Sequence, residues 1–208
     1  ILLMQPNAGK RFFHDLPWRW LVYLPAGAIL MAWLLLTPPG LLAKADAIAY
    51  AVCHRISVRS FFIGTRQMPL CARCTGMYLG AMLGLGYQWV VGKKKYGLPP
   101  KPVLALAGVF VVAFGVDGLN SFGHLFPGFT GIYEPQNWLR LLTGTGMGLS
   151  IAIVLLPAFN HSVWQDALPG PALSGWRPVL VLLALAAATD LLVLWGNPTL
   201  MVAFALIS

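Results

Sequence analysis

Residues 102–119, PVLALAGVFVVAFGVDGL, carry one charge, Asp117, and no helix-breaking residue after Pro102. Crossing a bilayer takes about 20 largely apolar residues in a helix, and this run with its flanks meets that length. Four further runs read the same way, at residues 21–36, 75–91, 138–158 and 179–195. The expected fold is therefore all-α, a polytopic transmembrane helical bundle of five spans. The apolar end, Thr199 to Ser208, is too short to cross and reads as an interfacial tail or a partial sixth span.

Composition agrees. Of 208 residues 58% are hydrophobic and 10% charged, against about a quarter charged in soluble domains, so a water-soluble enzyme is excluded. Five spans with short loops leave no separate soluble core, which makes residues 1–208 a single transmembrane domain. The net charge of +8 would suggest nucleic acid in a soluble protein. In a membrane chain, Lys and Arg gather in cytoplasmic loops and near anionic headgroups instead, so the partners implied are lipids and other membrane subunits, with no nucleic acid.

Lys93, Lys94 and Lys95 close the second span and are hard to translocate. With them inside, the N-terminus is cytoplasmic, next to Lys10, Arg11 and Arg19, and the plasma (inner) membrane is the expected location. Ile1 in place of an initiating Met points to a start that is processed, trimmed or incompletely known. Gly76, Gly80 and Gly84 recur every fourth residue in the second span, and Gly144 and Gly148 do so in the fourth. That spacing predicts close backbone packing inside one bundle.

Residues 41–74 are mixed in character and are expected to lie at the membrane interface, beginning with a short amphipathic helix on which Leu41, Ala45, Ile48 and Val52 share a face. All three cysteines fall in this segment, as Cys53-His54-Arg55 and Cys71-Ala72-Arg73-Cys74. A Cys-x-x-Cys pair converges on one ion, and Cys53 with His54 would complete a tetrahedral Cys₃His set for a structural zinc. Adjacent ligands diverge, so one of Cys53 and His54 could be spared. Two other readings stay open: small buried residues at a packing site, and a thiol–quinone oxidoreductase using Cys71 and Cys74 at a helix N-terminus. The odd cysteine count weighs against the latter.

Acids within spans mark a pairing or a function, because an unpaired charge in hydrocarbon is costly. Asp117 and Arg140 are expected at the same membrane level and form the predicted structural ion pair. Asp190 has no sequence-local partner and is expected to meet a partner chain or lipid. His14, His54, His124 and His161 lie in loops or at span ends, which disfavours a haem or pigment core. There is no P-loop, zinc-protease or nucleophile-elbow motif.

Cys53-His54-Arg55-Ile56, Arg59-Ser60-Phe61-Phe62 and residues 69–80, PLCARCTGMYLG, with Asp117-Gly118 and residues 139–144, LRLLTG, together resemble an uncharacterised family of small prokaryotic membrane proteins, a domain of unknown function. The resemblance covers residues 50–148. It implies that the Cys/His segment and Asp117/Arg140 belong to one site. One departure stands out: the family is expected to carry a basic residue shortly before the Leu-Arg element, where this chain reads Tyr133-Glu134-Pro135-Gln136, which argues against an anion-binding role for that loop. With no catalytic set in view, the expected function is a non-catalytic accessory subunit of a larger respiratory or photosynthetic membrane complex, serving electron transport or photosynthesis. A small transporter using Asp117, Arg140 and Asp190 is the further alternative.

Overall fold

The computed structural model describes residues 18–208, so Lys10, Arg11 and His14 lie outside the described residues. The chain divides into two compact units, residues 1–44 and 45–208.

The described part of the first unit is helix α1 (Trp18–Leu36) with Pro25 inside it, followed by a turn and the start of α2 (Leu41–Val52). A helix leaves its last carbonyls without partners. Here Lys44 Nζ donates to the Leu34 carbonyl at 2.8 Å and to Thr37 Oγ1 at 2.8 Å, while Thr37 Oγ1 donates to the Trp33 carbonyl at 2.6 Å. The lysine thus puts a positive charge at the negative end of the helix dipole.

The second unit holds the remaining elements. After α2 come a 3₁₀ turn (Ser57–Arg59), strands β1 (Ser60–Ile63) and β2 (Arg66–Cys71), and helix α3 (Ala72–Val91). Then follow β3 (Lys95–Gly97), α4 (Lys101–Gly123), α5 (Asn137–Val163), β4 (Leu168–Pro171), α6 (Trp176–Trp195) and α7 (Pro198–Ile207). The last helix, at ten residues, is too short to cross a bilayer.

The all-α expectation holds for most of the chain but omits two small sheets. β1 and β2 form an antiparallel hairpin closed at Gly64, whose φ of +61° suits the first position of a two-residue turn. β3 and β4 pair in parallel and tie together the loops after α3 and α5. Among the described residues, α4, α5 and α6 are long and apolar enough to span, and a fourth span is counted if α1 and α2 form one broken span. Five spans are therefore not reached. The missing one is α3, which has the length but carries four glycines and Gln88, and so falls short in apolar character.

Those glycines have another use. α3 packs along α5 with almost no side chain between the two backbones. A Cβ at Gly76 would collide with the Leu141 carbonyl, one at Gly80 with the Thr145 carbonyl, and one at Gly148 with the Met77 carbonyl. Close approach of this kind supplies dispersion contact where lipid gives no hydrophobic drive between helices. On another side of α5 the core is apolar, built from Val103 and Ala107 of α4, Leu149 and Ile153 of α5, and Val179, Leu182 and Ala186 of α6. Ser150 Oγ crosses that contact to donate to the Ala107 carbonyl at 3.1 Å.

Candidate metal centre

The end of α2 meets the N-terminal end of α3. Cys53 follows the last residue of α2, Cys71 is the N-cap of α3, and Cys74 lies in its first turn. All three are free thiols, with their sulfurs within 4.8 Å of one another. Around a tetrahedral ion with metal–sulfur bonds of about 2.3 Å, sulfurs lie about 3.8 Å apart, inside that bound. The three cysteines are therefore placed where they could hold a metal ion.

The backbone prepares Cys53 for this. Arg55 has a φ of +49°, a left-handed conformation uncommon for a residue with a Cβ. That turn brings the Arg55 N–H to Cys53 Sγ at 3.5 Å, and the Cys71 N–H donates to the same sulfur at 3.3 Å. The thiols of Cys71 and Cys74 also face it, and these contacts hold Cys53 well below the ordinary thiol range. Cys71 is pushed up by its contact with Cys53. Hydrogen bonds to a ligating atom orient and tune it in metal sites.

His54 does not complete the set. It is exposed, and among the described residues the ligand cluster consists of the three cysteines alone. The reason is local: neighbouring side chains leave the backbone in divergent directions, and the turn that brings Cys53 to the other thiols leaves His54 exposed on the wall of the adjoining cavity. The predicted Cys₃His set is thereby corrected to Cys₃.

The predicted Asp117–Arg140 pair is also corrected. Asp117 is buried, and its ion-pair partner is Arg73, whose Nη2 reaches Oδ2 in a short contact and whose Nε donates to the same oxygen at 3.1 Å. Tyr133 OH donates to Oδ1 at 2.8 Å, and Thr143 Oγ1 to Oδ2 at 3.3 Å. Burial, and then the bond to Asp117, push the Tyr133 phenol up to about 12, so it remains a donor. Arg140, on α5, turns instead to Asn137 Oδ1 at 2.8 Å and Ser121 Oγ at 3.4 Å. Arg140 shares the α5 helix with Thr143, which does reach Asp117, but its own guanidinium is taken up by Asn137 and Ser121 and leaves the carboxylate to Arg73.

Asp190 is bonded inside the chain. Thr145 Oγ1 of α5 donates to its Oδ1 at 2.7 Å, and the carboxyl side chain is 3% exposed. The expected partner-chain or lipid contact at Asp190 is thus replaced by an α5–α6 contact. Sequence spacing could not find it, since Thr145 lies 45 residues away.

Two expectations converge here. Cys71, Cys74 and Arg140 line one cavity of about 350 Å³, with His54, Arg55, Arg59 and Arg73 also on its wall. Arg55 pairs with Asp46 at 2.8 Å, and Arg66 reaches the same carboxylate at 2.6 Å. Arg59 Nη2 donates to the Ser121 carbonyl at 2.7 Å. The residues that sequence reading missed in this network are Ser121, Tyr133 and Arg73 as the partner of Asp117. Only Arg73 carried a signal, its place between two cysteines.

Comparison with known proteins supports the membrane reading. The family described as predicted membrane protein (DUF2085) matches residues 53–154, which span the cysteine cluster, Asp117 and Arg140. An uncharacterized protein of Methanocaldococcus jannaschii is 30% identical over 120 residues, 57% of this chain and 70% of that protein. Another, from Methanothermobacter thermautotrophicus, is 31% identical over 112 residues, 54% of this chain and 90% of the relative. No solved structure matches.

Proposed function

The chain belongs to this family of predicted membrane proteins, and on that footing we propose that it is a multi-pass membrane metalloprotein whose Cys53, Cys71 and Cys74 bind one zinc ion. The observation that carries the reading is the convergence of three sulfurs from the end of one helix and the start of another, 18 residues apart, with two backbone N–H groups aimed at one of them. A thiolate-rich set of this kind favours zinc or another thiophilic ion over hard cations. The ion would clip the end of α2 to the start of α3 and leave its fourth position toward the arginine-lined cavity. Structural zinc sites usually have four protein ligands, whereas a vacant fourth position belongs to sites that take a further ligand.

The accessory-subunit reading loses one of its motives, because Asp190 is satisfied within the chain. We further propose that α3 crosses the membrane as part of the bundle, its glycine face buried on α5 standing in for apolar length. Lys93–Lys95 then face the cytoplasm and the cysteine site the opposite side, about 30 Å away along a 20-residue helix.

Elemental analysis of the purified full chain, with a thiol count after denaturation before and after chelation, tests the metal site. About one zinc per chain and three reactive thiols are expected, with zinc lost in Cys53→Ser and retained in His54→Ala. No metal and a single reactive thiol would overturn the reading in favour of a disulfide and thiol redox chemistry.

A further inference from the structure

Four arginines line the cavity beside the thiols, and they come from four places: the turn after α2 (Arg55), the 3₁₀ turn (Arg59), α3 (Arg73) and α5 (Arg140). Two carboxylates answer them. Asp117 is taken by Arg73, and Asp46 is divided between Arg55 and Arg66. Arg59 and Arg140 meet no carboxylate among the described residues; their protein partners are the Ser121 carbonyl and Oγ and Asn137 Oδ1, all uncharged.

Arg140 is the more telling of the two, because it is only 6% exposed. A guanidinium buried to that extent without a counter-charge is strongly unfavourable. A guanidinium has five N–H donors, and the protein occupies two on Arg140 and one on Arg59. Zinc held by three thiolates would bring one net negative charge to the cavity, still short of the two unanswered cations. The loaded site therefore keeps a positive surplus.

We propose that this cavity binds a phosphate group, with the apolar part of the molecule that bears it resting on Phe122 and Leu125. A carboxylate offers two oxygens in one plane. The two guanidiniums without a carboxylate, Arg59 and Arg140, arrive from different elements and match a tetrahedral oxyanion better, and the arginine fork suits phosphate oxygens. Phe122 and Leu125 line the same cavity and are more than half exposed, an apolar edge beside a cationic floor. The phosphate comes either from a lipid headgroup or from a soluble molecule. The proposal uses the arginines and does not rest on the metal.

The test uses the full chain purified in neutral detergent without phosphate. Its probes are inorganic phosphate, followed by equilibrium dialysis, and mixed micelles of phosphatidic acid, with diacylglycerol micelles as the phosphate-free control. Metal content and thiol count are measured in the same samples. Saturable binding is expected that weakens tenfold or more in Arg59→Gln and Arg140→Gln and is partly restored in Arg59→Lys. Arg59, half-buried on a short turn, carries the test should Arg140→Gln fail to fold. Binding of inorganic phosphate assigns a soluble ligand, and binding of phosphatidic acid alone assigns a lipid headgroup; either supports the proposal. Binding to neither probe above the diacylglycerol control overturns it, as does equal affinity in the parent and Arg59→Gln. Phosphate binding by a chain that holds no metal would sink the zinc reading and leave this one standing.

Discussion

Helices α4 and α5 are both long and apolar enough to span a membrane, but α5 is the less apolar of the two and by far the more buried. In its most apolar stretch 61% of α5 is buried, against 17% of α4. In a water-soluble bundle the inner helix would be the more hydrophobic. Lipid removes that rule, since an outward-facing leucine is as well solvated as an inward one. The central helix is therefore chosen for small residues and satisfied polar groups, as Gly144, Gly148, Thr145 and Ser150 of α5 illustrate. α4 is polar inside only at its C-terminal end, where Asp117, Asn120 and Ser121 are buried.

The sharpest break in this contrast lies at that polar end. Arg73→Met removes the counter-charge of Asp117 and should cost about 3–5 kcal/mol, the range for half of a buried ion pair. Unfolding in mixed micelles of increasing SDS content would measure it, and adding Asp117→Leu should recover much of the loss. Retained stability in Arg73→Met alone would show that Tyr133 and Thr143 suffice to hold the acid.

Alanine scanning of glycines separates the two helices by sign. On α5, Gly148→Ala drives a Cβ into the α3 backbone and should destabilise by about 1–3 kcal/mol. Thr145→Val follows in size: it takes the donor from buried Asp190 and should cost about 1–2 kcal/mol in the same assay, most of which Asp190→Leu should restore in the double variant. The smallest effect belongs to α4. Gly115 faces open space, so Gly115→Ala should be neutral or stabilise by up to about 1 kcal/mol through helix propensity, readable as a rise in thermal midpoint. A loss at Gly115 would mean that α4 is covered by something outside this chain.

At the candidate site, sequence reading reached the cysteines by their spacing and the buried acids by their cost in hydrocarbon. It missed the hairpin, although Gly64-Thr65 between Phe62-Ile63 and Gln67-Met68 is a turn signal, because the arginines around it read as an interfacial face. It also misassigned two partners. Asp117 went to Arg140 on estimated membrane depth, and depth along a helix says nothing about which face a side chain occupies.

Apolar runs, charge scarcity and glycine spacing determine on their own that this is a helical membrane protein with tightly packed helices, because bilayer thickness and the cost of bare polar backbone leave few alternatives. Tertiary structure alone decided that Cys53 and not His54 joins the thiol cluster, that Arg73 answers Asp117, and that Thr145 answers Asp190. Each of those choices depends on a backbone turn or a helix rotation of a few tens of degrees, set by packing between residues far apart in the chain and unmarked in their local sequence.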